Sequence, residues 1–299
     1  MAEIERSRSK SSLKDWILLI RPTNSIMVGF AVIVGIAVAS SQGHQVSNIF
    51  SFTSLFGFLT GFSISSFSMI TNDVYDYEVD KINQPTRSVA SGRISLNDAK
   101  IYSIPFLIIG LGSSLLIGPT NLAVAGVFAL IGWFYNYQAK RFGLGGNSLV
   151  ALSLAIPYIF GSLALRNYSL NLAYLLALTS FLAGMGREVL KGISDIAGDK
   201  IRSIKSIAIS HGVGKAKSTA ATFFLLAVGS SSFPILAGIL GKGLLVYAVL
   251  VSLTDAVFCF LAARTLRIKS ESESLRLKKI ALGGMMLGLL AYLAAGLSA

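Results

Sequence analysis

The chain of 299 residues has one cysteine and two histidines, and only 13% of its residues are charged. The single cysteine, Cys259, excludes an internal disulfide and any thiolate metal cluster. In soluble domains, roughly a quarter of the residues are charged. The scarcity of charge, together with a hydrophobic content of 53%, therefore predicts an integral membrane protein.

Apolar segments fill most of the chain. Segments long enough to cross a bilayer, about 17–25 residues, occur at approximately 24–40, 50–71, 98–117, 119–138, 148–165, 169–187, 218–239, 242–263 and 279–298. With the N-terminus in the cytosol, these nine spans place all but two of the 26 Lys and Arg residues on the cytosolic side, and the exceptions are Arg166 and Lys242. This asymmetry is the positive-inside bias of membrane proteins. It explains the net charge of +12 without a nucleic-acid partner.

We therefore predict an all-α integral membrane protein of the cell membrane, with nine transmembrane helices around a central cavity and cytosolic capping loops or short helices. Residues 1–299 are expected to form a single domain. Residues 1–15 are polar and basic, which predicts a cytosolic tail and not a cleaved signal peptide. All acidic residues except Asp255 lie in or beside the cytosolic segments, so we expect the active site to open to the cytosol.

Four acidic residues follow directly on the second apolar segment, in the sequence NDVYDYEVDK. Asn72, Asp76 and Asp80 are spaced four residues apart, which places them on one face of a helix. Oxygen ligands without histidine or cysteine favour a hard cation such as Mg²⁺, which usually shares its remaining positions with phosphate oxygens. Asp195 and Asp199 repeat the spacing. The pattern predicts an intramembrane enzyme that acts on a diphosphate.

The two acidic segments resemble each other, since each Asp-x₃-Asp pair is followed by a lysine and then by a second basic residue. This similarity predicts two related halves, at about 16–145 and 146–299, that face each other across one cavity. Five ionised aspartates contribute about −5, two Mg²⁺ about +4 and a prenyl diphosphate about −3, which leaves about −4 to balance. The same loops contain basic residues for this balance: Lys81, Arg87, Arg93, Lys140, Arg141, Arg187, Lys191, Lys200 and Lys205. A solvated helix end explains these basic residues but not two matched acid pairs.

Other polar residues allow two interpretations each. Asp255 lies inside a span, where an acid is either functional or hydrogen-bonded to Ser252, Thr254 or a neighbouring helix. Tyr135 and Tyr158 belong either to an interfacial belt or to the cavity wall, facing a cationic intermediate. Tyr137 fits the belt better, and His211 is expected on a surface loop.

The motifs Asn72-x₃-Asp76-x₃-Asp80 and Asp195-x₃-Asp199 resemble the paired aspartate motifs of the UbiA superfamily of intramembrane prenyltransferases. The segments RPTNSIMVGFAV, NDVYDYEVDKINQPTRSVASGRIS and YNYQAKRFGLGGN are similar to family members that make archaeal ether lipids. The resemblance implies transfer of a geranylgeranyl group from its diphosphate to the hydroxyl of geranylgeranylglyceryl phosphate. Many members carry another aspartate three residues before position 195, where this chain has Gly192, which leaves the second metal site one acid short.

The resemblance also implies the site. Two Mg²⁺ ions would be held by Asn72, Asp76 and Asp80, and by Asp195 and Asp199. The aspartates of these motifs and Lys200 are expected to be catalytic, and the expected substrate-binding residues are Asp73, Arg87, Arg93, Tyr135, Lys140, Arg141, Lys191 and Lys205. The partners would be a prenyl diphosphate, a lipid phosphate and membrane lipid.

Two other functions remain open at this stage. Transfer of a prenyl or phytyl group to an aromatic ring or a tetrapyrrole would use an acceptor without phosphate, so fewer basic residues would be needed. A cation transporter could use the acids as a filter, but all acid pairs lie on one face and the opposite loops offer no matching path. A structural scaffold has no use for two matched acid pairs.

Overall fold

The computed structural model describes residues 11–42, 51–165, 171–201 and 204–298, and regular structure in these ranges is helical. The long helices are α2 (Pro22–Gln42), α3 (Phe52–Tyr75), α5 (Leu96–Ile117), α6 (Pro119–Tyr137), α7 (Leu144–Ala164), α8 (Asn171–Ser194), α11 (Gly212–Leu236), α12 (Leu244–Leu266) and α13 (Glu271–Ser298). The short helices are α1 (Leu13–Leu19), α4 (Tyr77–Asn83), α9 (Ile196–Ile201) and α10 (Ile207–Ser210). The all-α prediction is confirmed. Residues 1–10 of the tail, and Arg166, lie outside the described ranges.

Eight of the long helices are apolar and long enough to cross a membrane, which confirms a multi-pass membrane protein. The remaining long helix, α6, has 19 residues and matches the predicted segment 119–138. Its composition is less apolar because it carries Asn121 and Asn136, both buried inside the bundle. These two amides form hydrogen bonds with neighbouring helices.

The helices pack chiefly against their neighbours in the chain, and α13 returns to pack against α2 and α8, so the bundle closes on itself. Because the long helices alternate in direction, the ends of α3 and α8 lie at the same end of the bundle. The short helices α4 and α9 follow these two ends directly and pack against each other there. The predicted cap over one end of the bundle is therefore present.

Close backbone contact between α2 and α7 depends on two glycines. A Cβ atom at Gly35 would lie 2.1 Å from the carbonyl oxygen of Tyr158, and one at Gly161 would lie 2.2 Å from that of Val32. Membrane helices lack a hydrophobic force that drives them together, so small residues at such contacts favour association through close packing. This contact places α7 beside α2 along one wall of the central cavity.

Candidate active site

The first acidic segment lies where α3 passes into α4. The backbone N–H of Asp76 donates to the carbonyl of Asn72 at 2.8 Å, and that of Asp80 donates to the carbonyl of Asp76 at 2.7 Å. The four-residue hydrogen-bonding pattern therefore continues through the junction, and the three residues share one face as their spacing predicts. Asp76 and Asp80 are only 2% and 5% exposed. Buried carboxylates need a compensating charge or hydrogen bonds.

Two arginines provide part of that compensation. Arg87 Nη1 lies 2.5 Å from Asp80 Oδ2 and 3.3 Å from Asp73 Oδ1. Arg21, between α1 and α2, forms an ion pair with the same oxygen of Asp73. Its Nη2 also donates to Asn72 Oδ1 at 2.9 Å. The acids and the two guanidinium groups thus form one network at the capped end of the bundle. We call this region, with Arg21, Asn72, Asp73, Asp80 and Arg87, the mouth of the bundle.

The charges in this network influence one another strongly. Burial opposes the charged form of Arg21, but the neighbouring Asp73 outweighs it and the pKa of Arg21 is raised. Burial raises the pKa of Asp80; the charge of Arg87 opposes this rise, and that of Asp76 adds to it. The segment is therefore a site where negative charge is crowded and where additional positive charge would be stabilising.

Asn136, near the end of α6, fixes the orientation of Asn72. Asn136 Oδ1 accepts from Asn72 Nδ2 at 3.0 Å, and Asn136 Nδ2 donates to the carbonyl of Ser68 at 3.0 Å and to Thr71 Oγ1 at 3.1 Å. Asn72 Nδ2 also donates to Asp76 Oδ2 at 2.9 Å. Because the amide nitrogen of Asn72 is held by these acceptors, its oxygen faces Arg21 and the polar mouth.

The second acidic segment lies where α8 passes into α9. The backbone N–H of Asp199 donates to the carbonyl of Asp195 at 2.9 Å, and Asp199 is 6% exposed. Gly198 N donates to Asn83 Oδ1 at 3.1 Å, which joins α9 to α4. A Cβ atom at Gly198 would lie 2.3 Å from Asn83 Nδ2, so a side chain there would push the two short helices apart. The structure thus brings the two acidic segments to one end of the bundle.

A cavity of about 380 Å³ lies inside the bundle below the first acidic segment. Its deeper wall is apolar and includes Val28, Val32, Ile64, Phe128 and Phe160. The polar and charged lining consists chiefly of Arg21, Asn72, Arg87, Tyr135, Asn136, Arg187, Glu188, Lys191 and Lys278. A smaller cavity of about 30 Å³ is lined by Asp195 and Asp199 and shares Tyr135, Glu188 and Lys191 with the larger one. The arrangement suits an amphiphile with an anionic head and an apolar chain.

A second charged cluster lies on the wall formed by α8 and α13. Glu188 is 5% exposed, and its carboxylate accepts from Arg187 Nη1 at 2.9 Å and from Lys191 Nζ at 3.4 Å. Lys278 of α13 interacts electrostatically with Asp195 of the second acidic segment and with these three residues. We call Arg187, Glu188, Lys191 and Lys278 the deep basic cluster.

The tyrosines separate into two groups. Tyr135 and Tyr158 line the central cavity. Tyr137 is 53% exposed and stacks on Trp133, with ring centroids 5.5 Å apart. The belt interpretation therefore applies to Tyr137, and the cavity interpretation to the other two.

Lys200, which was predicted to be catalytic, and several predicted substrate-binding residues lie outside the cavity wall. Lys200, Lys205 and Arg141 are exposed beside the cap, and the side chain of Lys140 is outside the described part of the structure. Arg93 Nε donates to Asp15 Oδ1 at 2.7 Å, which holds α1 against the loop after α4. The geometry gives Arg93 a structural contact and does not bring it to the acids.

The two remaining polar residues occupy non-cavity positions. Asp255 Oδ1 accepts from Ser231 Oγ at 2.8 Å, so the neighbouring-helix interpretation holds for this acid. His211 is exposed at the junction of α10 and α11, as the surface-loop interpretation expects.

Magnesium fits the donor set at the mouth of the bundle. Its donors are carboxylate and amide oxygens, which hard cations prefer. Within the described part of the chain, no three acidic, histidine or cysteine side chains are grouped closely enough to hold an ion on their own. An ion there needs further oxygens, and Mg²⁺ in proteins usually takes these from substrate phosphate and water.

The sequence reasoning overlooked four residues that the structure places in the site: Arg21, Asn136, Glu188 and Lys278. Three of them carry charge at positions that the positive-inside bias or a helix end also explains. A weak signal existed for Glu188 and Lys278, because each directly adjoins a predicted span (169–187 and 279–298). In the structure both lie inside long helices, α8 and α13, where a charge is a functional hypothesis by default. Asn136 gave no comparable signal.

Comparison with known proteins gives a consistent result. A model of the UbiA prenyltransferase family matches residues 28–290. Digeranylgeranylglyceryl phosphate synthase of Archaeoglobus fulgidus is 34% identical over 280 residues, which cover 92% of this chain and 93% of that protein. The synthase of the same name from Saccharolobus solfataricus is 33% identical over 252 residues, which cover 84% and 86%.

Solved structures share the architecture. A structure described as digeranylgeranylglyceryl phosphate synthase superposes with a TM-score of 0.71 at 29% identity, covering 96% of this chain and 99% of that one. A homologue from Archaeoglobus fulgidus bound to GPP and Mg²⁺ has a TM-score of 0.64 at 16% identity, covering 93% and 99%. At that identity the second likeness concerns the fold alone.

Proposed function

Because the chain belongs to the UbiA prenyltransferase family, we propose that it transfers a geranylgeranyl group from geranylgeranyl diphosphate to the free hydroxyl of geranylgeranylglyceryl phosphate. The product would carry the second ether bond of archaeal membrane lipids. The main support is one observation: two buried acidic segments meet at the mouth of an apolar cavity whose polar wall carries an excess of cations. The relatives named digeranylgeranylglyceryl phosphate synthase support the choice of acceptor.

Two Mg²⁺ ions would be held, one by Asn72, Asp76 and Asp80 and the other by Asp195 and Asp199. They would supply Lewis-acid neutralisation of the departing diphosphate. Basic residues of the chain are proposed to neutralise the rest of the phosphate charge. Arg21 and Arg87 lie among the acids and line the cavity, so they are placed to contact phosphate oxygens and to stabilise the developing negative charge. Lys140, Lys200 and Lys205 are proposed to add positive charge from the cap.

The reaction exchanges one C–O bond for another. The allylic C–O bond of the donor breaks with carbocation character, diphosphate leaves with the bonding electrons, and the acceptor oxygen forms the ether. The apolar wall limits access of water, which would otherwise capture the cation. Tyr135 and Tyr158 line the cavity and present ring faces that favour positive charge. The hydroxyl proton would leave to a motif carboxylate or to the departing diphosphate.

We also propose the topology in detail. Nine spans, including α6, would place the N-terminus and both acidic segments on the cytosolic side, because that orientation satisfies the positive-inside bias. Two pseudo-related halves, about 16–145 and 146–299, would each contribute one acidic segment within a single domain.

The test of this topology uses a variant with Cys259→Ser and one introduced cysteine, at Lys200 or at Lys242. In intact cells, a membrane-impermeant maleimide should label position 242 and spare position 200; the reverse pattern would invert the topology.

A transfer assay tests the activity. Purified protein receives Mg²⁺ and radiolabelled geranylgeranyl diphosphate, with geranylgeranylglyceryl phosphate and an aromatic acid offered side by side. A labelled diether phosphate that disappears with EDTA is the expected product. Label in the aromatic acid alone would overturn the proposed acceptor. Ion flux in proteoliposomes, unaffected by prenyl diphosphates and without any transfer, would instead favour a cation transporter.

A further inference from the structure

We propose that Arg187, Lys191 and Lys278 of the deep basic cluster bind the phosphate of the acceptor lipid and thereby select a phosphorylated acceptor. The inference rests on the proposed function, because it assigns a place to one of its two substrates. The ligand is a phosphate monoester on an apolar chain, and the cluster is distinct from the ion pairs that Arg21 and Arg87 form with the first acidic segment.

The position of the cluster calls for an explanation. Arg187 lies seven residues before the end of α8 at Ser194, and Lys278 lies seven residues after the start of α13 at Glu271. At a rise of about 1.5 Å per residue, both lie about 10 Å inside the capped end of the bundle. Charges at such depth are costly and are usually retained for a function. Both line the central cavity, so a ligand in the cavity can reach them.

The cluster has more positive charge than its own acid can balance. Arg187 and Lys191 both bind Glu188, at 2.9 Å and 3.4 Å, and Lys278 adds a third cation. Glu188 is the one acid among the described residues that line the larger cavity. These four side chains together carry a net charge of about +2, which matches the charge of about −1.5 to −2 on a phosphate monoester at neutral pH. Asp195 also interacts electrostatically with Lys191 and Lys278, but its charge is assigned to Mg²⁺ in the proposed function.

Arg187 also has unused hydrogen-bonding capacity. Its Nε is shielded from solvent and has no hydrogen-bond partner in the described part of the chain. A buried donor without a partner is unfavourable, and a guanidinium group typically uses two N–H groups to bind a phosphate. Glu188 already occupies Nη1. A phosphate bound at Nε would satisfy this buried donor without displacing that carboxylate.

The other phosphate source is the donor diphosphate, which is better accommodated elsewhere. The acids at the mouth are the groups that favour Mg²⁺, and Mg²⁺ binds diphosphate oxygens. Arg21 and Arg87 form ion pairs with those acids. Among the described residues, Arg187 and Lys191 form their ion pairs with Glu188 instead. Two anionic heads, one at each place, would leave both apolar chains in the same cavity.

The test compares two acceptors that differ only in the phosphate: geranylgeranylglyceryl phosphate and geranylgeranylglycerol. The variants are Lys278→Met and Arg187→Met, which keep an unbranched side chain but remove the charge. The matched control is Lys279→Met, since Lys279 is exposed on the same helix and does not line the cavity. For each protein, kcat/KM is measured with each acceptor, together with KM for geranylgeranyl diphosphate and the melting temperature in detergent.

We expect the wild-type protein and Lys279→Met to prefer the phosphorylated acceptor. In Lys278→Met and Arg187→Met the ratio of the two kcat/KM values should fall on the order of tenfold or more, because a charged hydrogen bond to phosphate is lost. The KM for the donor should stay constant. Equal losses with both acceptors would mean a structural role, and an increase in donor KM alone would assign the cluster to the diphosphate; either result overturns the inference.

The failure of the proposed function has a different signature. If the wild-type protein makes no ether product with either acceptor, the proposed function is wrong and the inference falls with it. If wild-type transfer succeeds but the acceptor ratio is the same in all four proteins, only the inference is wrong. Thermal stabilisation by geranylgeranylglyceryl phosphate, without donor and without Mg²⁺, gives a second measurement. It should be weaker in Lys278→Met than in Lys279→Met.

Discussion

Replacing Asn136 by leucine should weaken the dependence of the enzyme on Mg²⁺ without touching a proposed metal ligand. Asn136 Oδ1 accepts from Asn72 Nδ2 at 3.0 Å, and this bond helps to fix which end of the Asn72 amide faces the mouth. Leucine has nearly the same size but cannot accept a hydrogen bond. The Asn72 amide nitrogen would then keep Asp76 Oδ2, at 2.9 Å, as an acceptor, and the amide could rotate more freely.

The magnitude follows from two effects. Loss of a residue that orients a metal ligand typically lowers metal affinity or activity by about 10–100-fold, so the Mg²⁺ concentration for half-maximal transfer should rise by about that factor. The carbonyl of Ser68 and the hydroxyl of Thr71 also lose a donor, at 3.0 Å and 3.1 Å. Both groups keep other partners, since Thr71 Oγ1 still donates to the carbonyls of Phe67 and Ser68. The cost is therefore that of lost hydrogen bonds, about 0.5–1.5 kcal/mol each, and the melting temperature should fall as well.

Asn121→Leu is the matched control. Asn121 is also buried in α6, and its Nδ2 donates to the carbonyl of Phe160 at 3.1 Å. It lies 15 positions before Asn136 in the sequence, about 22 Å away along the helix, and thus far from the acids. The assay is transfer rate against Mg²⁺ concentration for both variants. Equal Mg²⁺ dependence in the two variants, with similar losses of stability, would refute the orienting role of Asn136.

Three further predictions concern the acids and their surroundings. Asp76→Asn and Asp199→Asn should each abolish transfer while the protein remains folded in detergent; near-normal turnover in either would contradict the two-ion arrangement. Gly192→Asp should fold and require less Mg²⁺. Among the described residues a Cβ there meets only Ser206, at 3.4 Å, and the new carboxylate can accept from the Ser206 hydroxyl, which has no hydrogen-bond partner in that part of the chain. Inactivity with a normal melting temperature would show instead that Gly192 is needed for close approach. Asp255→Asn should retain near wild-type transfer, since asparagine can still accept from Ser231; a large loss would give this acid a role in the reaction.

The sequence predicted the features that depend on local spacing. Apolar length identified the long helices, and the i, i+4 spacing identified the shared face of Asn72, Asp76 and Asp80, which the structure retains across a break between two helices. The break itself was not predicted, because hydrogen bonds at Asp76 continue the helical pattern and the local sequence contains no proline or glycine. The four-residue spacing places the three side chains on one face even though α3 and α4 are two separate helices.

Long-range partners could not be predicted in the same way. Arg87 was proposed from its place in the same loop as the acids, but Arg93, six positions later, binds Asp15 in α1. Nothing in the local sequence distinguishes the two arginines, because their partners are set by how α1 and the loop pack. Lys278 was overlooked for a related reason: it comes from the last helix, and only the return of α13 to α8 brings it beside Arg187.

Arg21 shows why backbone geometry adds information that composition lacks. By sequence it is one of many basic residues at a cytosolic helix end, and the positive-inside bias explains it fully. In the structure it has φ of 46°, the one non-glycine residue with positive φ in the described part of the chain. That conformation costs roughly 1–2 kcal/mol for a residue with a side chain, and the residue before a proline ordinarily adopts extended backbone. Such strain persists where surrounding contacts determine it, typically at functional sites. Here those contacts are Asp73 and Asn72. The unfavourable backbone conformation of Arg21 therefore places its guanidinium group among the acids.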